Sequence, residues 1–171
     1  NHKNLSKEKI KCAEYFLAPL IQEILNSDYP LRILDAGCGD GVHAYVLGKI
    51  KKTNFFYTGI DISDKAINLC QQKLFKDPRF KFITADLLTK YFEKKFDFVI
   101  SYGVIAYTSN PQKALFQISK NMKKNAKFLL WVYTPGLLSK LLLKTIRLIR
   151  KLFGDKFTDI LANFIVPFMR I

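Results

Sequence analysis

The chain is poor in cysteine and histidine, and it has no long uninterrupted apolar run. Its three cysteines are odd in number and scattered, which favours a reducing compartment and argues against a disulfide framework. Two histidines without paired Cys/His spacing predict no metal site. No apolar stretch reaches the roughly 18 residues of a membrane span, and the lysine-rich start does not resemble a signal peptide. We therefore expect a cytoplasmic, metal-free protein.

Acidic residues are scarce relative to basic ones. The 171 residues contain 28 Lys and Arg against 14 Asp and Glu, which gives a net charge of +14. Such an excess is typical of proteins that bind nucleic acid or anionic membranes. It is also explained by composition, because the lysines are spread along the chain and surface lysines are normally solvated. Charge alone leaves the partner open.

One segment, Leu31-Arg-Ile-Leu-Asp-Ala-Gly-Cys-Gly-Asp-Gly41, combines a short apolar strand, an aspartate and three glycines at alternate positions. Alternate glycines allow positive φ and let a ligand approach the backbone. The helix that follows starts with free N–H groups. The pattern predicts a nucleotide-sized cofactor site at the end of a strand.

Two common nucleotide-binding motifs do not fit this segment. The dinucleotide fingerprint needs a third glycine at position 42, which is Val42, and this disfavours an NAD enzyme. A P-loop would need a Gly-Lys-Ser/Thr sequence, which is absent here.

Apolar strands alternate with helices along most of the chain. The patterns predict strands at 31–35, 54–60, 79–84, 96–101 and 127–133, and helices at 5–26, 41–51, 64–75 and 111–122. Such alternation is typical of an α/β fold: a Rossmann-like, doubly wound, mostly parallel sheet with helices on both faces. Asp35, Asp61, Asp86 and Ser101 all fall at the carboxyl ends of strands, where ligands bind in such sheets.

Four segments resemble the motifs of class I S-adenosylmethionine-dependent methyltransferases. They are the glycine-rich segment, Gly59–Ser63, Thr84–Leu87 and Phe96–Tyr107, and the resemblance covers about residues 28–134. It implies S-adenosylmethionine as cofactor, with Asp61 on the ribose and Asp86 on the adenine amino group. The full set of implied cofactor residues is Asp35, Ala36, Gly37, Cys38, Gly39, Gly41, Asp61, Ile62, Ala85, Asp86, Leu87, Ser101 and Tyr102.

The candidate catalytic residues are His43 and Tyr107. Methyl transfer from a sulfonium is an in-line displacement in which a general base can remove a proton from the acceptor. Both residues also have simpler interpretations: His43 would hydrogen bond near the cofactor, and Tyr107 would line the pocket. Many small-molecule members of the family carry His or Glu after the fourth motif, and this chain does not.

The C-terminal region differs from the family pattern. Residues 136–153 predict a basic amphipathic helix that either covers the acceptor pocket or contacts a membrane surface. The last two strands of the family fold are not recognisable in 136–171, so either the chain continues further or this region departs from the family. An exposed sheet edge would favour a homodimer.

We therefore expect a helical N-terminal cap (1–30), a cofactor-binding core (31–134) and a helical C-terminal region (135–171) within one domain. The expected function is methyl transfer to a small-molecule acceptor, a metabolite or a glycan or lipid precursor. One alternative is an RNA or protein methyltransferase, although Ser101-Tyr-Gly-Val104 stands where members that methylate amino groups carry Asn/Asp-Pro-Pro-Tyr. The other is an inactive cofactor-binding scaffold.

Overall fold

The computed structural model describes residues 5–74 and 77–132. The predicted C-terminal helical region, including the segment 136–153 and its proposed membrane contact, lies outside the described residues. Among those that are described, no helix is both long and apolar enough to cross a membrane.

Strands and helices alternate as the sequence patterns predict. The helices are α1 (Lys7–Asn26), α2 (Val42–Gly48), α3 (Asp64–Leu74) and α4 (Pro111–Lys120). The strands are β1 (Leu31–Ala36), β2 (Phe55–Asp61), β3 (Phe80–Thr84), β4 (Phe96–Tyr102) and β5 (Met122–Trp131). A short 3₁₀ turn, Ile105–Tyr107, follows β4.

The five strands form one sheet in the order β3-β2-β1-β4-β5, and every neighbouring pair is parallel. The order reverses between β2 and β4, on either side of β1. In an open α/β sheet the ligand crevice lies at this reversal, beyond the carboxyl ends of the strands. The predicted doubly wound α/β fold is confirmed.

The sheet separates two apolar layers. On one face α1, α2 and α3 pack against residues such as Ile33, Tyr57 and Phe98. On the other face α4 and the 3₁₀ turn pack against Leu34, Val99 and their neighbours. Successive strand residues point to opposite faces, so β1 supplies both layers. This fixes Asp35 on the α2 side of the sheet, among the residues of the first layer.

Three of the helices begin next to a side chain that caps them. The Ser6 side chain accepts a hydrogen bond from the backbone N–H of Lys9, and the Ser63 side chain accepts one from that of Ala66. Asn110 caps α4 in the same way, with Pro111 in its first turn. Each cap satisfies a backbone N–H that would otherwise lack a partner at the start of the helix.

Two element boundaries differ from the sequence prediction by three residues or more. Helix α2 ends at Gly48 rather than at residue 51, because the N–H groups of Lys49 and Ile50 turn back to the carbonyls of Val46 and Leu47. Strand β5 begins at Met122 rather than at residue 127. A register irregularity opposite Phe96–Phe98 accommodates the extra residues, and the alternation pattern carries no sign of it.

Candidate functional site

The carboxyl ends of β1, β2 and β3 lie side by side. Asp35 is in register with Gly59, and Asp61 is in register with Thr84. A pocket of about 470 Å³ opens at this edge. Its wall contains Ile60–Ile62 at the end of β2, 85–88 after β3, and Gly37, Gly103–Val104 and 107–109 from the loops after β1 and β4.

The glycine-rich loop forms one side of this edge. Gly37 and Gly39 have φ values of 91° and 51°, a region that other residues rarely adopt. A Cβ on Gly37 would lie 2.3 Å from a Val104 methyl group, so this glycine is needed for packing as well. A Cβ on Gly39 would meet nothing within 4 Å. Space next to Gly39 is therefore open to a ligand.

Asp61 is held firmly at the pocket wall. Its Oδ2 accepts a hydrogen bond from the Gly39 N–H at 2.9 Å, and its Oδ1 accepts one from the Ser63 N–H at 2.9 Å. The carboxylate thus joins the glycine-rich loop to the start of α3. Each oxygen keeps a further lone pair, so the group can still accept hydrogen bonds from a vicinal diol.

The residues after β3 form the far wall of the pocket. Ala85 donates its N–H to the Asp61 carbonyl at 2.9 Å. Asp86 is exposed, and its Oδ1 accepts a hydrogen bond from the Leu88 N–H at 2.8 Å, which fixes the turn. Leu87 is buried beneath it. This wall places one carboxylate next to an apolar surface. Such a pair suits a planar ring that has a hydrogen-bond donor at its edge.

Asp35 lies beneath the loop rather than in the pocket wall. It is fully buried, and its Oδ2 accepts a hydrogen bond from the Tyr57 hydroxyl at 2.6 Å and lies 2.9 Å from His43 Nδ1. Its Oδ1 is buried with no hydrogen-bond partner among the described residues. Burial raises the pKa of the Tyr57 phenol well above its usual value, and the Asp35 carboxylate adds to this effect.

Cys38 is also buried, with its Sγ against the position that a Cβ of Gly59 would take. A hydrogen bond with Cys70 and burial together raise the pKa of the Cys38 thiol far above its usual value. Cys70 in turn donates to the Gly39 carbonyl at 3.3 Å. These thiols support the loop from below, and a neutral buried thiol is a poor nucleophile.

His43 is only 4% exposed. One face of its ring stacks on Phe16 at 5.6 Å between centroids, and Tyr102 approaches edge-on at 5.6 Å. Tyr102 itself stacks on Trp131 at 4.3 Å. The simpler interpretation of His43, a hydrogen-bonding residue near the cofactor loop, describes this geometry, and its role as a base stays a prediction.

The structure therefore divides the predicted site residues into two groups. Those in the pocket wall are Gly37, Asp61, Ile62, Ala85, Asp86, Leu87 and Tyr107, the last of which is 76% exposed. Those beside or beneath the wall are Asp35, Ala36, Cys38, Gly39, Gly41, His43, Ser101 and Tyr102. Ser101 is buried, and its hydroxyl donates to the Ala36 carbonyl at 3.1 Å, which joins β4 to β1.

Sequence reasoning did not single out Leu88, Thr108 and Ser109 in the pocket wall, nor two further residues that shape the site. Val104 fills the space above Gly37, and Tyr57 holds the Asp35 carboxylate. No motif marks Val104. Tyr57 carried a weak signal, since a hydroxyl in the middle of an apolar buried strand needs a partner.

Comparisons with known proteins agree with this geometry. The family model of a methyltransferase domain matches residues 27–151. No curated protein matches the chain in sequence.

Three solved structures share the fold. Coclaurine N-methyltransferase, bound to N-methylheliamine and SAH, has a TM-score of 0.58 at 17% identity, covering 74% of this chain and 37% of its own. The PH0226 protein from Pyrococcus horikoshii has a TM-score of 0.58 at 24% identity, and the match covers 72% of this chain and 57% of that protein. The [4+2]-cyclase SpnF has a TM-score of 0.56 at 20% identity, and the match covers 72% of this chain and 45% of that protein.

This chain thus corresponds to less than two thirds of each of these proteins. The structural likenesses show the fold, and the family model shows the family. The chain belongs to the class I S-adenosylmethionine-dependent methyltransferase family.

Proposed function

We propose that this protein transfers the methyl group of S-adenosylmethionine to a small-molecule acceptor. The observation that carries the proposal is the pocket across the ends of β2 and β3, with Asp61 and Asp86 in its wall beside the glycine-rich loop. Its volume of about 470 Å³ lies within the usual range for small-molecule sites.

The residues present fit this cofactor. Asp61 would accept hydrogen bonds from the two ribose hydroxyls, and Asp86 would accept one from the adenine amino group. Asp35, whose Oδ1 has no hydrogen-bond partner among the described residues, is buried beneath the glycine-rich loop and does not line the pocket. The open space beside Gly39 leaves the backbone accessible there.

The bound cofactor would supply the activated methyl group and its own leaving group, so the protein has little covalent chemistry to perform. The task of the chain is to align acceptor, methyl and sulfur and to exclude water. With Asp86 on the adenine and Asp61 on the ribose, the methyl group would lie nearer β1, and we expect the acceptor to bind next to it, above β4 and β5. Tyr102 and Trp131 lie at the ends of these two strands.

The acceptor atom stays open between oxygen, nitrogen and carbon. We propose a metabolite or a glycan or lipid precursor. An RNA or protein acceptor is the less favoured alternative, because Ser101–Val104 lacks the Asn/Asp-Pro-Pro-Tyr pattern of enzymes that methylate amino groups. One structural neighbour is an N-methyltransferase and another is a cyclase, so the shared fold does not select the reaction.

A specific observation favours one second candidate, a cofactor-binding scaffold without activity. His43 is buried against Asp35, and Tyr107 is mostly exposed. Neither is fixed in the pocket as a general base would be. Transfer reactions that need no base remain compatible with this geometry.

Release of S-adenosylhomocysteine in the presence of acceptor panels tests the proposal. The panels present hydroxyl, amine and activated carbon nucleophiles. Acceptor-dependent release supports methyl transfer, and its loss in Asp61→Asn assigns it to this pocket. A folded protein that binds the cofactor but releases nothing with any panel would favour the scaffold.

We also propose a cytoplasmic location, supported by the three free cysteines, none of which forms a disulfide. A homodimer formed through the outer edge of β5 is a further proposal. Within the described residues β5 pairs with β4 alone. Light scattering of the purified chain tests the homodimer.

A further inference from the structure

Both ends of the sheet carry charged side chains, and the end opposite the pocket has an excess of basic ones. Asp35, Asp61 and Asp86 lie at the carboxyl ends of the strands. The opposite end, where the strands begin, contains a group of exposed lysines: Lys51 before β2, Lys94 and Lys95 before β4, and Lys124 early in β5. In the described part of the chain none of these four forms an ion pair. We call this end of the molecule the basic edge.

Nearby acidic residues do not cancel this charge. Asp77 is paired with Arg79 at 2.7 Å, Asp97 with Lys123 at 2.7 Å, and Glu23 with Lys127. Asp28 and Glu93 are the other carboxylates near the strand starts. Among the described residues, the four lysines of the basic edge outnumber these two carboxylates, so its net charge is positive. The charge count of the chain could not locate this excess.

Large apolar side chains are exposed at the same end of the sheet. Leu25, Tyr29 and Tyr91 are 47%, 57% and 55% exposed. Leu25 and Tyr29 lie at the end of α1 and just before β1, and the Lys52 ammonium donates to the Leu25 carbonyl at 2.8 Å. Tyr91 lies in the connection that leads to β4. Tyrosine beside lysine is the combination found where proteins meet the headgroup layer of a membrane.

The shape of the basic edge favours a flat partner over a nucleic acid strand. A cleft of about 270 Å³ at this end is lined by Glu23 and Asp97 with their lysine partners, and also by Tyr29 and Lys124. A phosphate chain in this cleft would meet those carboxylates. Lys51, Lys94 and Lys95 lie outside the cleft, on the turns before β2 and β4, where a flat surface can reach them.

We propose that the basic edge binds the surface of an anionic lipid bilayer. Lysines near such a surface contribute attraction, and the tyrosines and Leu25 enter the headgroup layer. Strands β1 and β2 are six and seven residues long, or about 20 Å at the usual rise per residue. The cofactor pocket then opens about this distance from the bilayer, on its aqueous side.

Vesicle co-sedimentation of the full chain tests this proposal. Phosphatidylcholine vesicles with and without phosphatidylserine are compared for wild type and for the variant K51Q/K94Q/K95Q/K124Q. Each lysine near an anionic surface is worth about fivefold in binding, so we expect the loss of four to weaken it by about several hundredfold. The matched control K7Q/K11Q/K65Q/K113Q removes the same charge from exposed positions elsewhere and should bind nearly as wild type.

Three results would overturn the proposal: no binding of wild type to phosphatidylserine vesicles, equal binding by the two quadruple variants, or displacement from vesicles by single-stranded RNA at equal phosphate concentration. The variant Y29S/Y91S provides a second test that leaves charge unchanged, and it should weaken binding most at high salt. None of these residues touches the cofactor pocket. A negative result here therefore leaves the methyltransferase proposal unaffected.

Discussion

At the scale of single residues, the loop after β1 depends on glycine for two different reasons. Gly37 needs a positive φ and also the space that Val104 occupies, whereas Gly39 needs only its φ. Substitutions at the two positions can therefore distinguish the effect of packing from the effect of backbone conformation. Sequence alone treats them as equivalent.

We predict that Gly37→Ala destabilises the fold by about 2–4 kcal/mol, through strain and a clash with Val104. Gly39→Ala should cost about 1–2 kcal/mol, from strain alone. Urea unfolding measures both. Val104→Ala should lower the free energy of unfolding less in the Gly37→Ala variant than in wild type, because it relieves the clash. Equal losses in the two proteins would refute the clash.

Tyr57 supports a second residue-scale prediction. Tyr57→Phe removes the 2.6 Å hydrogen bond to the buried Asp35, which we expect to cost about 1–3 kcal/mol of stability at neutral pH. Tyr29→Phe, at an exposed position, serves as the control and should be nearly neutral. Chemical denaturation at pH 7 compares the two, and similar costs would contradict a structural role for this bond.

The same residue makes stability depend on pH in the alkaline range. The pKa of Tyr57 is raised on folding, so its contribution is complete below the ordinary tyrosine value of about 10 and is lost as pH rises beyond it. Tyr57→Phe should therefore lose less stability than wild type between neutral and strongly alkaline pH. Parallel slopes for the two proteins would show that this phenol does not contribute.

At the scale of elements, the connection between β3 and β4 has no helix of its own and depends on Asn121. This buried side chain donates to the Lys90 and Gln117 carbonyls at 3.0 and 3.1 Å and accepts from the Phe92 N–H at 2.9 Å. One amide thus holds the connection against the end of α4. The connection also supplies the far wall of the pocket.

We predict that Asn121→Ala destabilises the protein by about 2–3 kcal/mol, because it removes three hydrogen bonds of a buried amide, including the one that the Phe92 N–H donates. Asn110→Ala, which removes only the α4 cap, should cost about 1 kcal/mol. Thermal unfolding gives both values. Asn121→Ala should also weaken cofactor binding, and unchanged binding would show that the wall does not depend on this amide.

At the scale of the whole molecule, periodicity and caps were enough to predict the element order and the parallel α/β sheet. Ser6, Ser63 and Asn110 mark helix starts because they satisfy local N–H groups, and local signals are visible in sequence. The early start of β5 was missed because its irregular pairing depends on β4. The orientation of Asp35 and His43 was missed because it depends on which sheet face α2 covers, a tertiary property.

The distribution of charge is likewise a tertiary property that the sequence does not show. A net charge of +14 could not distinguish a solvated surface from a binding surface. The fold brings Lys51, Lys94, Lys95 and Lys124 to the end of the sheet opposite the pocket, so the distribution of charge carries information that the total does not. The two ends can then be tested separately.

The central claim is that Asp61 anchors an adenosyl cofactor in the pocket at the end of β2. Isothermal titration with S-adenosylmethionine and, separately, NAD tests it most directly. We predict binding of S-adenosylmethionine alone, abolished by Asp61→Asn and retained in Asp64→Asn, which changes an exposed carboxylate outside the pocket. Binding of NAD, or equal affinity in the two variants, would contradict the account.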